Sequence, residues 1–472
     1  MYLALTGLEL DFIADTDFTC LGLWASCYRS NGFRNRSDIH FIDDPWNDRH
    51  KLISDYQYLS DLHQRVLRSL MNHLNDLHAT NHSKRYWQIL LDPWLCTYLA
   101  NLYDKWLRLE AAFACNSHYR IATPIEDFPD QQSFFSGEIN QLNQDDEWNH
   151  NLLLSMINHA YKDSVVIDQL DNFKSRSKAR VREKIIIKGR IYYVIKILID
   201  NFTRLLFSFG IYNDIYLMIN YLRPLSLARL NINLSQIPFY GFNFTNNPGD
   251  IELDCTKIEF ESIDVELGES LFERFVSKRI VRDLPLEFTS GFKHLSKNAR
   301  RYYIPRVIVS DNAHWFNTSF KHWMAYAHER GSKIITSQHG GSLCEGNTNQ
   351  MFFQEAISDH YITWSVPIVE NHIQLPPLKL ANRKLKSSSK NKGSISFLGL
   401  DRPRYLLRCG STAESTAIES CDTNINGSQH GSHSMSGNVL FCCTCSDSET
   451  SCDFANSFSP IHSHTHMVTS WR

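Results

Sequence analysis

The sequence predicts an α/β fold, because a strand, a helix, a second strand and a glycine-rich loop follow one another between residues 305 and 341. The apolar run Pro305–Asp311 is typical of a buried strand. A second apolar run, residues 333–336, leads directly into Gln338-His339-Gly340-Gly341. The residues between the two runs have helical spacing, and Gly331 ends that helix: Phe316, Phe320, Trp323 and Ala327.

The two predicted strands place their following loops at one edge of a sheet. A right-handed crossover makes the strands parallel, and open α/β sheets bind ligands at their carboxyl edge. We therefore expect a ligand site in these loops, with Glu355 as a neighbour. The loop residues that we expect to bind are Asp311, Asn312 and His314 after the first strand, and Gln338, Gly340 and Gly341 around His339 after the second.

His339 is the candidate catalytic residue of this site. Gly340 and Gly341 have no Cβ, so their backbone N–H groups can approach an anion closely. The imidazole can act as an acid, a base or a hydrogen-bond donor to phosphate. The alternative interpretation is a tight turn whose histidine is merely exposed.

Length and charge restrict the class of protein. The chain has 472 residues, which is enough for two or three domains. A net charge of -3 gives no overall basic field for nucleic acid. The N-terminus carries Glu9 and Asp11 and lacks the basic start of a secretory signal, so we expect a cytoplasmic protein. The cysteines up to Cys344 show no disulfide or zinc spacing, which indicates reduced thiols.

The first half of the chain is rich in predicted helix. Apolar residues between Lys51 and Leu77 form one stripe of a long amphipathic helix. Asp92-Pro93 has the pattern of an N-cap followed by a first helical residue, so a second helix is expected to begin there. The polar segment Ile125–Asn149 is expected to be loop. Residues from about 174 to 230 are expected to form a helical insertion. The apolar part of this segment carries more charged residues than a membrane-spanning helix tolerates.

The C-terminal part changes character. Residues 1–378 are expected to form an α/β domain, and residues 379–394 an exposed linker rich in lysine and serine. Residues 395–408 have the pattern of a first strand that no further strand follows. Residues 409–472 contain fourteen serines, seven threonines and no lysine, without any helical or strand period. We expect this tail to be disordered, and its abrupt start suggests a change of reading frame before a premature stop.

Two further clusters carry candidate side chains. His82 and Arg85 lie close to Trp87 and Trp94, a combination that suits a sugar or phosphate pocket. The alternative is a structural connection between helices, with Ser83 as a helix cap and both tryptophans in the core. The tail has Cys442-Cys443 and several histidines, but their spacing is not that of a zinc site, and we expect no metal.

A series of short motifs gives the chain a resemblance to a known family. The motifs include Pro45-Trp46-Asn47-Asp48-Arg49, Asn81-His82-Ser83-Lys84-Arg85-Tyr86-Trp87, Pro93-Trp94-Leu95, Gln338-His339-Gly340-Gly341 and Thr363-Trp364. In this order they resemble a bacterial family of transferases found with O-antigen and other surface-polysaccharide genes. The resemblance runs from the N-terminus to about residue 405.

The resemblance implies a glycosyltransferase-like enzyme of the GT-B type, which consists of two Rossmann-like domains. It implies a nucleotide-sugar donor and a glycan or lipid-linked acceptor, no other cofactor, and a location in the cytoplasm or peripheral to the inner membrane. The chain departs from the family pattern at Leu343-Cys344, at Asp92 and after residue 405.

The last departure implies that the second domain is largely missing and that this chain is inactive. The alternative function is a non-catalytic remnant that binds a glycan or a protein.

Overall fold

Two parallel sheets form the framework of the protein. The computed structural model describes residues 1–13, 16–26, 39–125, 128, 133–170, 213–219, 221–238, 244, 270–338, 353–380, 396–398, 405 and 440–442. The first sheet has the strand order β3-β2-β1-β4-β5. Its strands are β1 Tyr2–Ala4, β2 Phe18–Cys20, β3 His40–Phe41, β4 Tyr119–Pro124 and β5 Val165–Leu170.

The second sheet confirms the predicted strand, helix and strand around residue 320. Its strands lie in chain order and are all parallel, and Ser310 is the register partner of Thr336. The strands are β6 Ile215–Met218, β7 Val307–Ser310, β8 Lys333–Ser337, β9 His360–Thr363 and β10 His372–Gln374. The loops after β7 and β8 therefore leave the same edge of one sheet, as the sequence predicts.

Helices cover both sheets. They are α1 Leu10–Ile13, α2 Arg49–His78, α3 Lys84–Cys115, α4 Ile139–Leu142, α5 Asp146–Ala160, α6 Pro224–Asn233, α7 Leu271–Asp283, α8 Phe292–Ala299, α9 Ala313–Phe316, α10 Thr318–Glu329 and α11 Phe353–Ala356. Short 3-10 turns occur at Leu23–Ser26, Ser136–Glu138, Lys162–Ser164, Leu286–Phe288 and Leu378–Leu380.

The long helix α2 is the amphipathic helix that the apolar stripe predicts. The Asp48 side chain caps it by accepting hydrogen bonds from the backbone N–H groups of His50 and Lys51. The helix ends at His78, and its C-cap Ala79 adopts a left-handed conformation with φ 50°. This capping contact alone accounts for an aspartate at position 48.

The predicted start of the second helix at Asp92-Pro93 is wrong. Helix α3 begins at Lys84 and continues through Pro93 to Cys115. Ser83 is the N-cap, because its hydroxyl accepts the backbone N–H of Tyr86 at 3.2 Å. Pro93 lacks an N–H, but its neighbours are buried in the core, and that packing offsets the missing hydrogen bond.

Helix α3 connects the two sheets. At about 1.5 Å per residue, its 32 residues span roughly 48 Å. Its contacts include α10 and α11 of the second sheet's layer, and α4 and α5 of the first sheet's layer. A single apolar cluster extends from Leu3 in β1, through Trp94 in α3, to Ile334 in β8. Trp87 and Trp94 are fully buried in this cluster, which agrees with their structural interpretation.

Three segments differ from the expected organisation. The segment 125–149, expected to be loop, contains α4 and the start of α5. The described part of the expected helical insertion contains strand β6, because Ile215–Met218 is a short apolar run that pairs with β7. Residues 1–378, expected to form an α/β domain, contain both five-stranded sheets.

The C-terminal part is described at few positions. Ser396–Leu398 forms β11 and pairs in parallel with β12, Leu440–Cys442. The linker 379–394 from residue 381 onward, and the rest of the segments 395–408 and 409–472 apart from Tyr405, lie outside the described residues. Among the residues that the structure describes, the helices include none with a continuous apolar stretch that could span a lipid bilayer.

Candidate functional site

Asp311 organises the carboxyl edge of the second sheet. It follows β7 and is fully buried. The backbone N–H of Tyr221, in the loop after β6, donates to Asp311 Oδ2 at 2.9 Å. The backbone N–H of Asn312 donates to Oδ1 at 2.7 Å, and the Asn312 amide donates to the Tyr221 hydroxyl at 3.0 Å. One carboxylate therefore fixes the loops of two neighbouring strands.

Tyr221 and Lys379 place a phenol and an ammonium group at the same edge. Burial and the nearby Asp311 carboxylate raise the pKa of Tyr221, although the Asn312 hydrogen bond acts in the opposite direction. The phenol therefore stays protonated at neutral pH. The exposed Lys379 ammonium lies 4.2 Å from the centre of the Tyr221 ring, within the range of a cation–π contact.

Gln338 anchors the start of the loop after β8. Its backbone N–H donates to the Ile362 carbonyl at 2.8 Å. Its side-chain oxygen accepts hydrogen bonds from the Thr363 hydroxyl at 2.8 Å and from the Trp364 backbone N–H at 3.1 Å. Gln338 thus ties the end of β8 to the end of β9. His339, Gly340 and Gly341 lie outside the described residues, directly after this anchored position.

His314 lies at this edge of the second sheet, whereas the Glu355 side chain contacts His372. His314 lies in α9 and is buried, with Nδ1 at 3.1 Å from the Ser310 hydroxyl at the end of β7. Glu355 Oε2 lies 3.5 Å from Nε2 of His372, the first residue of β10. No described contact joins Glu355 to Asp311.

His82 and Arg85 lie at the opposite, amino edge of the second sheet. His82 Nδ1 is 2.7 Å from Glu329 Oε2, at the end of α10 and before β8. Arg85 donates from Nε to the Ile357 carbonyl at 3.0 Å and from Nη2 to Asp359 Oδ2 at 3.3 Å, before β9. These side chains attach the start of α3 to the sheet, and the structure does not bring them together with Asp311 or Gln338.

The first sheet contains a further candidate site that the sequence interpretation missed. In this sheet β2 and β3 lie on one side of β1, whereas β4 and β5 lie on its other side. Ligands of open α/β sheets bind outside the point where the chain changes sides in this way, here between β1 and β4. At this point Glu9 accepts the backbone N–H groups of Leu5 at 3.1 Å and Thr6 at 3.0 Å. His150 Nδ1 lies 2.9 Å from Glu9 Oε1, and His150 Nε2 lies 3.4 Å from the Thr123 hydroxyl.

These contacts align a carboxylate, an imidazole and a hydroxyl. A carboxylate on one ring nitrogen fixes the tautomer, so the other nitrogen faces Thr123 as a potential proton acceptor. The Glu9 and His150 side chains are both fully buried. The two residues are 141 positions apart in the chain, so no local pattern pairs them. The sequence feature that marks this site is Thr6-Gly7, which directly follows the first apolar run.

The carboxyl edges of the two sheets lie next to each other. The turn Ser136–Glu138, after β4, packs against α9, after β7. A Cβ on Gly137 would lie 3.7 Å from the Phe316 carbonyl oxygen. The Lys321 ammonium, in α10, donates to the Ser136 hydroxyl. Loops from both sheets therefore border a common region.

The chain matches the family model described as LIC12162 family transferase over residues 1–421. It belongs to this family. A transferase acts on a donor and an acceptor substrate. No curated protein and no solved structure matches the chain. Within the described ranges, this transferase has no group of three or more histidine, cysteine, aspartate or glutamate residues that could hold a metal ion.

Proposed function

We propose that this transferase moves a sugar from a nucleotide-sugar donor to a glycan or lipid-linked acceptor during assembly of a surface polysaccharide such as O-antigen. The observation that carries the proposal is the contact between the carboxyl-end loops of the two parallel sheets, at Ser136–Glu138 and α9. Sheets of this type bind ligands at that edge. Two such edges side by side hold two substrates close together, and proximity and orientation are a large part of the rate enhancement in group transfer.

The donor diphosphate is assigned to the loop after β8. Gln338 fixes the start of this loop through its hydrogen bonds to Thr363 and Trp364. Gly340 and Gly341 then supply backbone N–H donors, and His339 supplies a donor or an acid for the leaving phosphate. Asp311 is buried and supports the neighbouring loop through Tyr221, so we assign it a positioning role.

The two sheets can be compared with the two Rossmann-like domains that the GT-B resemblance implies. The proposal assigns the first sheet and the second sheet to the two halves of a GT-B-like cleft, with α3 as the element that both halves share. The expectation of an inactive chain depended on the absence of a second sheet domain after residue 405. Because the described residues already include two sheets, we propose that the chain is active.

The test is a titration of the purified chain with nucleotide-sugars that differ in base and sugar, followed by calorimetry. Each binding donor is then incubated with a lipid-linked acceptor, and the release of nucleotide is measured. We expect micromolar binding of at least one donor and nucleotide release that depends on the acceptor. Binding of glycans without any nucleotide release would instead support the non-catalytic remnant. A chain that binds no nucleotide-sugar would contradict the proposal.

A further inference from the structure

A cavity of about 310 Å³ lies between α2, α3 and the short helix α11. It is separate from the Glu9–His150 pair and from Asp311, because its lining comes from the first halves of the two long helices and from Phe353 and Ala356. Its volume is at the lower end of the roughly 300–1,000 Å³ range of small-molecule sites. The size suits one ring rather than an extended ligand.

Asp92 places a buried carboxylate in the wall of this cavity. The residue is only 1% exposed. Its Oδ1 lies 3.2 Å from His63 Nε2, yet the direction of approach makes no hydrogen bond, and neither atom has another hydrogen-bond partner among the described residues. Oδ2 has a long contact of 3.4 Å with the Gln88 amide. A buried carboxylate is destabilising unless donors satisfy its oxygens, so this one favours a ligand that brings a donor.

The remaining lining contains both polar and apolar side chains. Ser60, Gln64 and Gln88 add hydroxyl and amide groups, and the Gln88 amide lies 3.4 Å from Asp92. The apolar lining residues include Leu59, Leu99 and Phe353. A ring that carries hydroxyl groups on one face and C–H groups on the other can use both kinds of side chain.

The positive charge of Lys84 favours a neutral ligand over a cationic one. Its ammonium belongs to the cavity lining, where it donates to the Gln64 amide oxygen at 2.9 Å. A cationic ligand attracted to Asp92 would also be repelled by Lys84. A neutral hydroxyl donor can satisfy Asp92 without that repulsion.

We propose that this cavity is a binding site for a single neutral sugar unit, with a sugar hydroxyl donating to Asp92 Oδ1 and the apolar face of the ring on Phe353. The inference uses only the residues of the cavity and does not depend on the proposed transferase reaction. The His63 ring in α2 lies beside the carboxylate without a hydrogen bond to it, and the sugar hydroxyl supplies the hydrogen bond that Asp92 Oδ1 lacks.

The test uses the full chain and a panel of free monosaccharides: glucose, galactose, mannose, rhamnose and N-acetylglucosamine. Binding is measured by ligand-observed saturation-transfer NMR, and affinity by titration. We expect at least one sugar to bind. Asp92→Asn should weaken its affinity by about tenfold or more, since a hydrogen bond to a charged group is lost. The matched control is Asp61→Asn, an exposed carboxylate on the same helix as His63, which should leave the affinity unchanged.

A second variant keeps the test decisive if Asp92→Asn folds poorly. Ala356→Trp places a large ring at an exposed position of the cavity wall and should abolish sugar binding while the melting temperature changes little. The proposal is overturned if no sugar binds, or if binding survives in folded Asp92→Asn and Ala356→Trp.

Discussion

The backbone N–H of Tyr221 donates a hydrogen bond of 2.9 Å to the buried carboxylate of Asp311. This contact joins the loops after two neighbouring strands, β6 and β7, at the edge where ligands of α/β sheets bind. The same carboxylate accepts the backbone N–H of Asn312. We therefore propose that Asp311 sets the shape of this edge.

Replacing Asp311 by Asn should lower both stability and donor affinity. The amide keeps the size of the carboxylate but offers only one acceptor oxygen for two backbone N–H groups. We expect the free energy of unfolding to fall by about 1–3 kcal/mol, and the donor affinity to fall because the loops lose their shape. Chemical denaturation and calorimetry measure the two effects. Asp214→Asn is the control, since Asp214 is exposed at the opposite end of β6, and it should change neither quantity.

Replacing His339 by Ala should weaken binding of a nucleotide-sugar without a large change in melting temperature. A histidine that contacts the donor phosphate contributes to binding and little to packing. The matched control is His360→Ala, because His360 is exposed at the amino end of β9 in the same sheet. A large loss of stability in His339→Ala, with unchanged affinity, would favour the simple turn.

The pair of His82 and Glu329 should affect stability and not ligand binding. Burial raises the pKa of Glu329, but the hydrogen bonds from His82 and from the Ser83 backbone N–H outweigh burial, so the pKa is lowered overall. Stability from a lowered carboxyl pKa is present above the unfolded pKa and is lost as the pH falls through the folded value. Glu329→Gln should therefore be less stable by about 1 kcal/mol at pH 7, with a difference that shrinks below about pH 4.

That difference is measured by urea denaturation of the wild-type chain and Glu329→Gln between pH 3 and pH 7. A double-mutant cycle with His82→Ala should show coupling between the two residues. If His82→Ala removed binding of a nucleotide-sugar and left stability unchanged, then His82 would belong to a ligand site after all.

Lys105 should make stability depend on pH in the alkaline range. It is fully buried, and burial lowers the pKa of its ammonium to about 7, although the neighbouring Asp104 acts in the opposite direction. Between about pH 7 and pH 10 the unfolded chain holds more protons at this site than the folded chain, so stability rises with pH there. Lys105→Met should stabilise the chain below pH 7 by an amount on the order of a few kcal/mol.

The gain from Lys105→Met should shrink as the pH approaches 10, which thermal unfolding over that range measures. Lys297→Met, on an exposed face of α8, serves as the control and should show no such trend. A gain independent of pH would mean that Lys105 stays charged in the folded chain.

Some elements of the fold were predictable because their signals are local. Helix α2 has a continuous apolar stripe and a capping aspartate, and β7, α10 and β8 follow one another with clear boundaries. Strands β1, β2 and β3 have only two or three residues, too few to show a period. The start of α3 was misplaced because Asp92-Pro93 has a strong local cap pattern, while packing in the core decides the actual helix.

The candidate site was predictable only in part. The position of Asp311 and Gln338 at one sheet edge follows from the order of the elements and is confirmed. The partners of His82 and Arg85 are 247 and 272 residues away, so their structural role could not be inferred from neighbours. Glu9 and His150 meet only because β1 and β4 are adjacent in the first sheet, which depends on the full topology.

The most direct test of the account is hydrogen exchange of the full chain with and without a binding nucleotide-sugar, read by mass spectrometry. The central claim is that the donor binds at the carboxyl edge of the second sheet. Bound donor should slow exchange in the peptides that cover residues 311–316 and 338–345, and leave exchange at residues 78–85 unchanged. Protection at residues 78–85, with none after β7 and β8, would contradict it.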